Sequence, residues 1–403
     1  MTIHTVSAGE TIHSISEQYG VPESRIVADN ALGTISKLLV GRALLISRPQ
    51  CTYVVRGGDT LQSIADRYGV STLSLLQNNS HIGNGRLLPS QILNVSFEKE
   101  YEKPIIVSAY TEAASAAQIE SCLPHITYLH IQNAVFLQNG NVSLLENAVP
   151  LVSLAKQYHA ESILVVECKS EYENRGSRRL AELLASPGAT ERFIHTLTAV
   201  AEKNGFAGLE IQCFCAEPAV QARMNEMVLA LDGVCKEKGL LLSLPKLPGA
   251  QGFPNDFGSI SPLWSYVWDD AGTRSPAAPL NKMKEVLAET PHDFKEKTLL
   301  GIPAFAVEYG SNGKRALQVS VLPEIGTVQF DAITQTPQVY CSAKRETREL
   351  LCFEDARSYA GKLALVKEFG LGGINVMSLA YDAPILWKVL NQNFTVQKIR
   401  KIC

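Results

Sequence analysis

The spacing of apolar residues changes character once along this chain. In the first hundred positions it is helical and short. Leu61, Ile64, Ala65 and Tyr68 fall at i, i+3, i+4 and i+7, one face of a helix, and Ile12, Ile15 and Tyr19 draw the same face earlier. Asp59 stands where a helix cap is wanted, with Gln62 three residues on to complete a capping box, and Gly69 supplies a left-handed stop. The earlier helix has Gly20 as its stop and Glu10 as a weaker cap. After the charged stretch Glu98–Lys103 the pattern becomes short apolar runs separated by helical segments. The runs are Ile105–Tyr110, Tyr128–Val135, Ser162–Cys168, Gly208–Phe214, Leu240–Leu244, Leu263–Trp268, Thr298–Ala304 and Ile374–Leu379. Helical segments between them include Leu144–Tyr158, Glu191–Lys203, Ala219–Lys238 and Phe353–Phe369. Strand–helix alternation sustained over roughly 300 residues predicts a (β/α)8 TIM barrel within the α/β class. A polar, β-branched stretch of about 308–351 interrupts it before the last strand, and predicts a small hairpin subdomain over the barrel mouth.

The N-terminal hundred residues are a tandem repeat at an offset of 49 residues: Val6 answers to Val55, Gly9-Glu10-Thr11 to Gly58-Asp59-Thr60, Tyr19-Gly20-Val21 to Tyr68-Gly69-Val70, and Asn30 to Asn79. The repeat divides the chain into residues 1–48, 51–97 and 103–403, with Arg48-Pro49-Gln50 as a linker. The pattern Tyr53-x-Val55-x-x-Gly58-Asp59-Thr60-Leu61-x-x-Ile64-Ala65-x-x-Tyr68-Gly69-Val70 resembles the LysM module, a βααβ fold. That resemblance implies binding of N-acetylglucosamine glycans, such as peptidoglycan or chitin oligomers. It places the sugar against Gly9, Glu10, Thr11, Ile12, Asn30 and Leu32 in the first copy, and against Gly58, Asp59, Thr60, Leu61, Asn79 and Ile82 in the second.

Two such modules ahead of a barrel, with Phe353-Glu354-Asp355-Ala356-Arg357-Ser358 before the last helix, resemble the glycoside hydrolase family 18 proteins of bacterial spores, including the N-acetylglucosaminidases that process cortex fragments. That family carries D-x-x-D-x-D-x-E along its fourth strand. Alternate residues of a strand face one side. The final Glu protonates the leaving oxygen, and the Asp two before it orients the substrate acetamido group, which acts as the nucleophile. In this chain the four positions read Ala207, Glu210, Gln212 and Phe214. A phenyl ring has no proton to give, so no catalytic residue is expected here. Glu217, three residues on, is the substitute acid nearest in sequence, and Glu167, Asp269, Asp270 and Asp382 also fall near strand ends. The family's Tyr-Asp pair after strand six is replaced around Tyr266–Asp270, and its strand-eight Trp by Met377.

Three functional readings follow. The first is a glycan-binding pseudo-glycosidase, the second an active N-acetylglucosaminidase with a relocated acid, and the third a structural spore-coat component assembling with copies of itself or with coat partners. A formal net charge of −3 argues against a nucleic-acid partner. No apolar run reaches the roughly 18 residues that would span a bilayer. The start Met1-Thr2-Ile3-His4 has no signal-peptide character. A wall-binding protein without an export signal points to synthesis in the mother-cell cytoplasm, and assembly onto the spore envelope or cell wall from that side. The eight histidines show no metal-ligand spacing, and no cofactor is called for. Of the nine cysteines, Cys122, Cys168 and Cys235 read as core thiols. Cys341 and Cys352 flank a charged turn across which they can pair, although reduced thiols throughout are the simpler expectation. The basic end Lys398-Ile399-Arg400-Lys401 reads as a solvated tail.

Overall fold

A computed structural model describes the chain apart from residues 33–37, 80–81, 83–84, 100, 102, 137–138, 145–146, 168–179, 213–217, 247–257, 264–273, 311–312, 319–325, 345–346, 382 and 400–403. Each repeat is a βααβ unit. The first comprises Thr2–Thr5, Ile12–Tyr19, Glu23–Asp29 and Ala43–Ile46; the second comprises Cys51–Val54, Leu61–Tyr68, Thr72–Asn78 and Ile92–Ser96. The strands pair antiparallel within each unit. Ile15, Ile26, Leu44 and Ile46 fill one small core, and Ile64, Leu75, Leu93 and Val95 the other.

The capping expectation needs correction. Thr11 and Thr60 are the N-caps, each in a reciprocal box with Ser14 or Ser63, so the two first helices start equally well. Glu10 and Asp59 lie one residue earlier and have a different task, described below. Gly20 and Gly69 do stop the helices in the left-handed conformation.

The third region is a parallel barrel. Its eight strands are Ile106–Tyr110, Tyr128–Phe136, Glu161–Glu167, Gly208–Gln212, Leu241–Ser243, Ser261–Leu263, Thr298–Ile302 and Gly373–Val376. The ring closes between the fifth and sixth strands through a parallel bridge, Ser243 to Ile260. The sixth strand begins two residues earlier than the apolar run suggested. Alternation sorts the side chains. Leu209 and Ile211 of the fourth strand join the apolar shell between strands and helices, which leaves Glu210 and Gln212 on the inner side. One interior layer is apolar (Tyr128, Ile163, Ile260, Leu299). Another, toward the strands' C-terminal ends, holds Tyr110, Val165 and Met377, with Phe305 beside them.

The insertion is larger and more regular than a hairpin. It is a five-stranded antiparallel sheet running from Phe305 to Cys352. Within it Cys341 lies opposite Glu349, and Cys352 opposite Gln338. The two cysteines therefore sit three rungs apart, roughly 10 Å at the usual rise per residue, too far for a disulfide. Cys352 is a free, buried thiol, which burial pushes up to about 12. Cys235 is buried as expected, whereas Cys122 is partly exposed. The segment Phe353–Ser358 proves architectural. Glu354 forms a buried ion pair with Lys362, and Asp355 caps the helix Ala356–Phe369 while accepting from Ala43 N of the first module. Lys398, which opens the basic end, is not freely solvated, because its Nζ donates to the carbonyls of Leu123 and Ile126, while Arg400 and Lys401 lie outside the described residues. No described helix is long and apolar enough to cross a membrane.

Candidate glycan sites in the barrel and the repeats

The barrel interior carries one strongly organised carboxylate. Glu210 is fully buried, and three donors surround it: Tyr110 OH at 2.7 Å and Gln212 Nε2 at 2.6 Å to Oε1, and Ser243 Oγ at 2.5 Å to Oε2. His130 Nδ1 lies 2.9 Å from Oε2, at ion-pair distance though without straight hydrogen-bond geometry. These groups come from four strands, the first, second, fourth and fifth, and they meet because each occupies an inward position of its strand. Burial alone would raise the pKa of Glu210, but the His130 contact and the Ser243 and Gln212 hydrogen bonds outweigh it, and the group is held below the usual carboxylate range. It is therefore a charged acceptor at neutral pH and has no proton to donate. Between the first and eighth strands Ser108 Oγ donates to Asn375 Oδ1. At the end of the third strand, Gln132 Nε2 donates to Glu167 Oε1 at 2.6 Å.

Gln212 uses its amide nitrogen on Glu210, which orients the side chain and leaves its carbonyl oxygen as an acceptor. Ala207 lies at the far end of the fourth strand from the mouth, its N–H bonded to Ser162 O. Met377 packs on Tyr110 and Val165 inside the barrel. Phe214, Glu217, Asp269, Asp270 and Asp382 fall outside the described residues. Tyr110, His130 and Ser243 were not singled out from sequence. Their only signal was an inward strand position, and alternation does not say which inward residues will meet. Among the described residues no group of three His, Cys, Asp or Glu side chains is arranged to hold a metal ion.

In the repeats, the acid before each cap closes the strand-to-helix turn. Glu10 Oε2 accepts from Ser7 N at 2.6 Å and lies 2.9 Å from His4 Nε2. Asp59 Oδ2 accepts from Arg56 N at 2.8 Å and from Tyr53 OH at 2.6 Å. Gly9 and Gly58 turn the chain with φ of 86° and 87°, and open space surrounds the position a Cβ would take. The result in each copy is an outward turn with exposed Gly9 and Thr11, or Gly58 and Thr60, and half-buried Ile12 or Leu61 behind it.

The other half of the expected sugar groove is corrected. Asn30 is fully buried; its Nδ2 donates to Ile26 O and Leu45 O, and its Oδ1 accepts from Leu45 N. Asn79 repeats this with Leu75 O, Asn94 O and Asn94 N. Leu32 and Ile82 are core residues. The two asparagines clip the second helix to the last strand and the two apolar side chains fill the cores, so none of the four is presented to a ligand.

Comparison with known proteins matches this architecture. Residues 4–47 and 53–96 match the LysM domain. Over its whole length the chain is 24% identical to the cortical fragment-lytic enzyme of Bacillus anthracis, covering 98% of this chain and 99% of that one. The crystal structure of the spore cortex-lytic enzyme SleL of Bacillus cereus superposes with a TM-score of 0.79 at 23% identity, over 99% of both chains. A GH18 chitinase of Cycas revoluta, solved in complex with (GlcNAc)4, gives a TM-score of 0.57 at 18% identity, over 70% of this chain and 98% of that one. The chain thus carries two LysM modules and a TIM barrel of the fold found in GH18 chitinases.

Proposed function

We propose that this protein binds N-acetylglucosamine polymers of a spore cortex or cell wall through its LysM turns, and that its barrel holds such a glycan without hydrolysing it. One observation carries the second half. The inward carboxylate of the fourth strand, Glu210, is charged and fully engaged, the next inward residue is Gln212, and the sequence has Phe214 where the family's acid is expected. The free carbonyl oxygen of Gln212 suits an acetamido N–H. A neutral amide gives no charge to offset an oxazolinium intermediate, and Phe214 offers no proton. General acid–base help is worth about 10²–10⁴ in rate. The LysM matches, the outward turns and the relatives named for cortex lysis support the wall glycan as the ligand and the spore or wall as its place.

A second reading keeps hydrolysis, and the names of the relatives favour it, since those matched over the full chain are called lytic enzymes. Glu217, or Glu167 at the end of the third strand, would then be the acid. Incubation with cortex fragments and with chitin oligomers separates the two. The first reading expects no release of reducing ends by the native protein, and a gain of about 10²-fold or more in Gln212→Asp/Phe214→Glu, which restores the acid and the orienting carboxylate. Release by the native protein that disappears in Glu217→Gln or Glu167→Gln would establish the second reading.

A further inference from the structure

The geometry points to the helix Pro384–Asn393 as a platform that locks both LysM modules to the barrel, so that their turns meet polymeric glycan as one unit of fixed spacing; this rests on the glycan-binding reading above. A helix on the surface of a barrel has one apolar face. Here eight of ten residues are buried, among them Lys388, Asn391 and Gln392. They are buried because the modules sit on them. Lys388 Nζ is 2.7 Å from Asp29 Oδ1 and 3.0 Å from Ala28 O, at the C-terminal end of the second helix of module one. Carbonyls and an acid at that end suit a cation. Gln392 Nε2 donates to Ser47 Oγ at 2.8 Å, in the strand exit of the same module. Asn391 Nδ2 donates to Gln77 O at 2.6 Å, in the second helix of module two, and Gln77 Nε2 returns to Pro124 O at 2.8 Å in the barrel. One turn of helix therefore grips both modules.

Further contacts fix the first module. Leu39 joins Val328, Leu351 and Phe353 in a core shared with the insertion, and Val328 N donates to Val40 O at 2.8 Å. The Lys388–Asp29 pair is only 7% and 5% exposed. Loosening it would strand a buried charge, which is strongly unfavourable. Modules on a flexible tether would have an effective concentration set by the linker. In this chain it is set by the platform, and the ordering cost of a second engagement is met during folding. The partner this arrangement fits is a long or cross-linked N-acetylglucosamine polymer offering two sites at the matching distance. A short oligomer fills one turn only.

The test uses the full chain, with (GlcNAc)4 and insoluble chitin as probes, comparing the native protein with Asp29→Asn/Lys388→Met/Asn391→Asp. A second variant, Asp29→Lys, sets like charges against each other at the same joint. Small-angle scattering reports whether the modules have come loose. Loosened variants should keep tetramer affinity within about twofold and lose about 10–10²-fold on the polymer. A loosened variant with undiminished polymer binding would overturn the inference. So would a Gly58→Val variant, with its joint intact and one turn blocked, that binds the polymer as well as the native protein. Failure of the native protein to bind even the tetramer would instead count against the glycan reading itself.

Discussion

Asn30 and Asn79 stand at the same place in two copies of one module, and the side chain of each makes three buried hydrogen bonds to backbone groups of the second helix and last strand of its module. Asn79→Ala should destabilise the protein by about 2 kcal/mol, because a buried N–H and two carbonyls lose their partner; thermal melts check this. The caps behave symmetrically. Thr11→Ala and Thr60→Ala should each cost about 1 kcal/mol, measured in the same way, and a much smaller effect at Thr11 would contradict the equivalence of the two boxes. The turn acids add a pH dependence. Asp59 is held below its usual range by Tyr53 and the Arg56 N–H, and Glu10 by the Ser7 N–H first, which with help from His4 outweighs the opposing effect of burial. A depressed carboxylate stabilises above its unfolded pKa, and loses that contribution as pH falls through the folded value. Glycan binding should therefore weaken below the ordinary carboxylate range while holding steady above it, as a titration of binding against pH would show. Repeat, spacing and residue type were enough to find these turns. They did not reveal that the Asn pair points inward, because an Asn that reads a ligand and one that clips a helix to a strand look alike in sequence.

The platform helix and its neighbours define the behaviour of the joint. His125 stacks on Trp387 at 5.0 Å between ring centroids and lies 3.0 Å from Asn391 Nδ2. Burial holds its imidazole neutral, pushing its pKa down to about 3 from 6.5. The unfolded chain takes up the proton first, so stability is lost as pH falls from about 6.5 toward 3. Hydrogen exchange should show helices Thr72–Asn78 and Pro384–Asn393 losing protection together over that range, and His125→Phe should flatten the dependence. The strands were legible as elements because each is a short apolar run between turn signals. The sixth was misplaced at its start, since Ser261 and Pro262 pair in the barrel without apolar character of their own. The insertion was underestimated for a related reason. Its strands alternate polar and apolar residues over a small core, and a single chain does not announce how many of them will pair.

At the scale of the whole molecule, three sequence regions become one body. Removing the modules would expose Val328, Leu351 and Phe353 and leave Lys388 without Asp29. Burying one aliphatic side chain is worth about 1.5–3 kcal/mol, so the barrel from Lys103 onward should lose at least about 3 kcal/mol in denaturant titration relative to the full chain. Equal stability would mean that the docking surfaces contribute nothing. By itself the sequence determined the two repeats, the alternating barrel, the inward direction of Glu210 and Gln212, and the identities at the four motif positions. All of these follow from local spacing, since a period of 3.6 or 2 fixes which way a side chain faces. Only the tertiary structure decided that Tyr110, His130 and Ser243 converge on Glu210, and that a buried lysine of the last helix closes on an aspartate 359 residues away. Those contacts join residues far apart in the chain, and local periodicity carries no record of which distant surfaces will meet.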